Sequence, residues 1–345
     1  MKKRIVICAD GTWNRPEQDL TRDFPTNVLK LARAISPVGT DGVPQQVFYD
    51  WGVGSYYDPV AGGATGKGLH KNIMDDYRYI VQNYKPGDEL YLFGFSRGAY
   101  TVRCLCGLIN NVGILTRPDA HLIQQAFNHY KKPGKDYAPS GSKSIAFREA
   151  HAHPSREVVF VGVWDTVGAM GIPISFLGLF DDKDEFYDTK IGSNVRVARH
   201  AMAIDERRVD FTPTIWEPRA TMDMRQVWFC GAHSNVGGSY KPDADGGVLS
   251  DISLVWMVNE ATRTGLSVEP HLGQQIHGSP LATLHTSRRH FYRLRQEYLR
   301  PLDHGKGEVL LHSSVKMRFD RDPGYRPQNL LDYLGLFGWP DELAE

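Results

Sequence analysis

Short apolar runs alternate along the chain with longer stretches whose hydrophobic residues recur every three or four positions, and the two periods divide the sequence into strands and helices. RIVICAD (4–10) and QVFYDWG (46–52) are β-branched or aromatic runs that end on polar or glycine residues, and they read as strands. Between Asn72 and Tyr84, residues Ile73, Met74, Tyr77, Ile80, Val81 and Tyr84 fall close to helical spacing, and Pro86-Gly87-Asp88 closes that helix before the apolar strand ELYLFGF (89–95). The helical period resumes from Arg97 to Ile109. EVVFVGVWD (157–165) and VWFCGAH (227–233) read as buried strands, and a helix is expected near Val195 to Asp205. A further helix spans Asp251 to Thr264, capped by Ser250 and closed by Gly265. Beyond about Leu266 the periodicity weakens. Strands alternating with helices predict an α/β fold, a mostly parallel sheet with helices on both faces. No repeat, low-complexity tract or linker divides the chain, so one domain over 1–345 is expected, with a cap or lid segment at 167–194 and a less regular C-terminal segment at 266–345.

Composition narrows the class. Hydrophobic residues make up 41% of the 345 and aromatics 11%, enough for one large core. Lys plus Arg and Asp plus Glu number 40 each, so no global basic field recruits nucleic acid, and no nucleic-acid partner is expected. Cys8, Cys104, Cys106 and Cys230 lie in apolar runs without metal-ligand or secreted-framework spacing and are expected as reduced core residues. The start, MKKRIVICAD, has the basic flank of a signal peptide, but its apolar run is only about five residues, too short for an h-region. No stretch approaches the roughly 20 apolar residues of a membrane span. The expectation is cytoplasmic synthesis, with export lacking a cleavable signal still open.

Candidate chemistry centres on Gly94-Phe95-Ser96-Arg97-Gly98, a G-x-S-x-G frame set where a buried strand meets an amphipathic helix. A hydroxyl needs a histidine to take its proton and an acid to orient that histidine. Asp165 ends one predicted strand and His233 follows another, in the order Ser, Asp, His of α/β-hydrolases, at the strand ends where ligands meet open α/β sheets. Asp205 is the rival acid and His200 the rival base; strand-end placement and chain order favour Asp165 and His233. The backbone N–H groups of Arg97, Thr12 and Gly11 are candidates for an oxyanion hole. Asp10-Gly11-Thr12 also resembles part of the D-x-D-G-T loop of haloacid-dehalogenase-like phosphatases, but Cys8 occupies the position of the nucleophilic aspartate, so phosphatase chemistry is the weaker alternative. AGGATGKG (61–68) departs from a phosphate-binding loop at Ala61 and Gly68 and reads as a flexible loop. His151 and His153 lack a third ligand, so no metal is expected. GAMGIPISFLGLF (168–180) suits a lid over an acyl site, with Phe176, Leu177, Leu179 and Phe180 as contacts and buried packing as the alternative. RRHFYRLRQEYLR (288–300) reads as a solvated segment with inward aromatics, a patch for an anionic membrane surface being the alternative.

The series ADGTWN, YDWGVGS, GGATGKGL, YKPGDELYLFGFSRGAYTVR, VWDTVGA, HAMAIDERR and GAHSNVGGSY resembles the α/β-hydrolase family of domain of unknown function 2235, which includes phospholipase effectors of type VI secretion, group one. The resemblance covers about residues 4 to 260, with the motifs in the family's order. It implies an α/β-hydrolase-like sheet and a serine hydrolase whose nucleophile, acid and base are Ser96, Asp165 and His233. Asn235 stands where the last motif often has Asp, a departure expected to change hydrogen bonding beside His233. The expected activity is cleavage of carboxylic esters, with lipid acyl esters as substrate and no cofactor. The alternative is a binding or scaffold protein on the same fold.

Overall fold

The computed structural model describes residues 2–12, 14–52, 66–167, 190–288, 296–305 and 307–345. Arg4–Ala9 forms β1, and all six residues are buried. Its side chains divide by parity, with Ile5, Ile7 and Ala9 entering one core and Val6 and Cys8 the other. Burial on both faces is why such a strand reads as a continuous apolar run. β2 (Gln45–Asp50), β3 (Glu89–Phe95), β4 (Val158–Trp164), β5 (Val195–Ala203), β6 (Asp223–Phe229) and β7 (Leu310–Leu311) join it. The sheet order is β2-β1-β3-β4-β5-β6-β7, and each of these neighbouring pairs is parallel.

One face is covered by α2 (Gly66–Asn83), α3 (Arg97–Val112), α4 (Ala120–Tyr130) and α5 (Ser142–His151). The opposite face packs against α1 (Asn27–Ala34) and α7 (Ser250–Thr262). Side chains such as Ile7, Leu92 and Leu105 are wholly buried, and each stabilises the fold by about 1.5–3 kcal/mol relative to exposure. β1 lies between β2 and β3, so the chain leaves it in one direction and returns on the other side. That reversal opens a crevice beyond the carboxyl ends of β1 and β3. Among the described residues, no helix is long and apolar enough to cross a membrane.

The architecture is the expected α/β fold, with three local corrections. Val195 to Asp205 is not helical: Val195–Ala203 is β5, in which only Arg196 is exposed. A central strand buried on both faces shows no alternation, and its alanines imitate a helix former until the flanking strands supply hydrogen bonds. Ser250 lies inside the first turn of α7, whose N-cap position is Leu249, without a side-chain cap. The segment beyond Leu266 is more ordered than its weak periodicity suggests, adding α8 (His271–Gln275), β7, α9 (Ser313–Arg321) and α10 (Gln328–Phe337). The four cysteines are free and buried, as expected of core thiols. The lid residues Phe176, Leu177, Leu179 and Phe180, most of the 61–68 loop, and 289–295 of the arginine-aromatic stretch lie outside the described residues.

Candidate active site

Ser96 links the end of β3 to the start of α3 and holds φ 57°, ψ −119°, a conformation that a side-chain-bearing residue adopts only under constraint. Its N–H donates to Trp164 O at 3.1 Å, tying the turn to β4. The glycines two residues away are sterically required. A Cβ on Gly94 would lie 2.5 Å from Gly98 O, and one on Gly98 would overlap the carbonyl oxygens of Ala9 and Asp10. The turn after β1 faces this elbow, since a Cβ on Gly11 would sit 3.1 Å from Ser96 Cβ.

That second turn is organised by Asp10. Its Oδ1 accepts from Gly11 N–H at 2.7 Å, and its Oδ2 accepts from the Thr26 and Tyr49 hydroxyls at 2.6 Å each. Burial raises the Asp10 carboxyl, and these neutral donors only partly offset it. The Gly11 N–H is therefore engaged, while the Thr12 hydroxyl is buried without a hydrogen-bond partner among the described residues. Arg97 opens α3, which places its N–H at the N-terminal end of the helix next to Ser96.

Asp165 follows β4 at φ 39°, and His233 opens α6 (His233–Gly237) after β6. The two meet directly, with His233 Nδ1 to Asp165 Oδ2 at 2.6 Å. Asp165 is wholly buried yet richly supplied with donors: Oδ1 also accepts from Ala203 N–H at 3.0 Å and from Arg300 Nη1 at 2.6 Å, and Oδ2 from Arg300 Nη2 at 3.1 Å. Burial alone would raise its carboxyl; the Arg300 guanidinium and His233 outweigh burial and hold it well below the usual carboxylate range. For His233 burial dominates and lowers the imidazole, against the hydrogen bond and charge of Asp165. The resulting histidine is neutral near pH 7, the state that a general base requires. Its ring packs against Phe95 at 4.6 Å between centroids and meets Phe211 edge-on at 4.9 Å. Phe95 is adjacent in sequence to Ser96, so the imidazole lies beside the elbow, although no hydrogen bond joins Ser96 to His233 here.

The rival residues have other partners. Asp205 accepts from Gly231 N–H at 2.6 Å and from the Tyr325 hydroxyl at 3.0 Å, bracing the turn that leads to His233. His200 lies on β5, where its Nε2 accepts from Thr166 N–H at 3.1 Å, and burial pushes its imidazole down to about 3. His151 packs against Phe147, and His153 against Tyr84.

Glu206 and Arg300 are contributors that motif reasoning missed, and Asn235, which it flagged, finds its partners here. Glu206, fully buried, accepts from His233 N–H at 3.3 Å and is paired with Arg208 at 2.8 Å. Asn235 uses both ends of its amide: Nδ2 donates to Thr283 O at 3.1 Å, and Oδ1 accepts from His285 N–H at 3.1 Å. An aspartate could accept but not donate there, which gives the asparagine a structural reason. Arg300 belongs to the stretch expected to be solvated, but its side chain is fully buried. Nothing local in the sequence separates it from its neighbouring arginines.

Residues 3–260 match the family model described as T6SS, phospholipase effector Tle1-like, catalytic domain. The chain is 28% identical over 239 residues to an uncharacterized protein of Saccharomyces cerevisiae, covering 63% of this chain and 33% of the yeast protein. Among solved structures it is similar to an uncharacterized protein from Pseudomonas aeruginosa, with TM-score 0.48, 18% identity, and coverage of 81% of this chain and 49% of that one. It is also similar to the Tle1 effector bound to the VgrG spike of the type 6 secretion system, with TM-score 0.41, 17% identity, and coverage of 70% and 52%. The chain thus spans about a third of its curated relative and about half of these two structures.

Proposed function

The chain belongs to the family of type VI secretion Tle1-like phospholipase-effector catalytic domains, and from that premise we propose that it is a serine hydrolase of lipid acyl esters. The observation that carries the reading is a serine at positive φ on a strand-to-helix elbow, beside a buried histidine bonded to an aspartate at 2.6 Å, all at the carboxyl ends of parallel strands. Ser96 Oγ attacks the ester carbonyl while His233 Nε2 takes its proton; Asp165 holds Nδ1–H and stabilises the imidazolium. The N–H groups of Arg97 and Thr12 receive the oxyanion, each such donor contributing about 3 kcal/mol to transition-state stabilisation. Nε2 returns the proton to the leaving alcohol. Water then attacks the acyl-enzyme, with His233 again as base, and releases the fatty acid. Because burial lowers the His233 imidazole, the acid limb of the rate profile should lie below the ordinary histidine value of about 6.5.

Incubation with phospholipid vesicles, neutral lipid emulsions and short-chain esters tests both parts, with fatty-acid release and fluorophosphonate labelling as readouts. Ser96→Ala should lose labelling and at least about a thousandfold in rate. Equal labelling of parent and variant sinks the nucleophile assignment, and release from short esters alone sinks the lipid substrate.

A further inference from the structure

We propose that Arg300 is a positioning residue of this site, gripping both oxygens of Asp165 and so fixing the carboxylate that faces His233. The inference rests on the triad reading given above. It also extends the catalytic unit beyond residue 260, where the family match ends, into the C-terminal segment.

The guanidinium is itself held. Nη1 donates to Ala203 O at 2.8 Å as well as to Asp165 Oδ1, and Nη2 donates to Phe211 O as well as to Asp165 Oδ2. Asn329, at the start of α10, donates to Arg300 O and to Ile204 O at 3.0 Å each, pinning the backbone that delivers the arginine. The fork therefore joins the ends of β4 and β5 and the 211 turn through one side chain, while α10 holds the backbone of the same residue. A planar guanidinium facing a carboxylate sets the plane of that carboxylate as well as its position, which a single lysine ammonium cannot do. A buried ion pair of this kind brings little net stability over apolar packing, so its value here is geometric and electrostatic.

The electrostatic role has a definite sign. The charged groups that face His233 are Asp165 at Nδ1, Glu206 at its N–H, Arg208 paired with Glu206, and Arg300 behind Asp165. Phe95 and Phe211 supply apolar walls, and His200, behind Thr166, is neutral at working pH. Arg300 balances the Asp165 charge that would otherwise stabilise imidazolium. Removing it leaves Asp165 uncompensated, so His233 should hold its proton to higher pH.

Arg300→Met and Arg300→Lys in the full chain test this, read by the pH profile of kcat/KM on a short ester and the low-field proton resonance of His233 Nδ1–H. Arg300→Met should lower kcat about 10- to 100-fold with KM nearly unchanged, move the acid limb up by about one pH unit, and shift the resonance. Arg300→Lys should keep the acid limb in place while still losing kcat, because charge survives and the fork does not. Folded Arg300→Met with the parent acid limb and resonance overturns the proposal. Where Arg300→Met does not fold, unchanged kcat in Arg300→Lys overturns it instead. If Ser96→Ala remains active, the triad reading itself fails; if Ser96→Ala is dead while both Arg300 variants match the parent, only the role of Arg300 fails.

Discussion

Asp165 and Asp76 are both wholly buried carboxylates, and their surroundings could hardly differ more. Asp165, beyond β4, receives hydrogen bonds from His233, Ala203 N–H and Arg300, and keeps its charge. Asp76, on α2, has no hydrogen-bond partner for either oxygen among the described residues. Burial, with Asp50 and Asp75 nearby, raises its carboxyl well above the usual range, and burial likewise pushes Asp50 up to about 7. Asp10 lies between these extremes, with neutral donors such as Thr26 and Tyr49 and a carboxyl raised by burial. Burial disfavours a carboxylate wherever it occurs; only a cation close at hand reverses the outcome. At the proposed site Arg300 is that cation.

The largest effect should come from breaking the paired centre. Asp165→Asn leaves Arg300 buried without its counter-charge and His233 without an anionic partner. We expect a loss of about 10³- to 10⁴-fold in kcat, together with destabilisation of about 3–5 kcal/mol. Ester kinetics and urea unfolding measure the two separately. Full activity in the folded variant would mean that the Asp165–His233 bond has no catalytic part.

The unpaired centre should respond in the opposite sense. A carboxyl raised on folding favours the native state least at pH values above its unfolded value, so stability falls as pH rises from about 4 towards the folded value. Asp76→Asn removes that ionisation. Its Tm should exceed the parent's by a few degrees at pH 8 and match it near pH 4, as calorimetry at the two pH values would reveal. A uniform loss at both would show that the carboxyl contributes through packing or an unseen partner.

The intermediate centre offers the smallest test. The Thr26 hydroxyl caps α1 by accepting Leu29 N–H at 3.1 Å and also donates to Asp10. Thr26→Val removes both bonds and should cost about 1 kcal/mol in urea unfolding. No change would mean that water or a neighbour replaces the hydroxyl in both duties.

Much of this arrangement is legible along the chain because it depends on local rules. Short continuous apolar runs buried on both faces mark β1, β3 and β4, and the glycines flanking Ser96 announce a turn in which Cβ atoms at those two positions would strike backbone. Asp165 and His233 can be placed at strand ends from the same pattern. β5 could not be read in this way, because Val-Arg-Val-Ala-Arg-His-Ala-Met-Ala becomes a strand only when β4 and β6 pair with it.

By itself, the sequence determined the alternation of elements, the elbow and the order of its candidate partners, since each follows from propensity, periodicity or a steric need within a few residues. Tertiary structure alone decided which acid meets His233, that Asn235 uses both ends of its amide, and that Arg300 is withdrawn from solvent to hold Asp165. These outcomes join residues up to 135 positions apart. The energy of a charge depends on what lies within a few ångströms of it in space, and no local pattern records that distance.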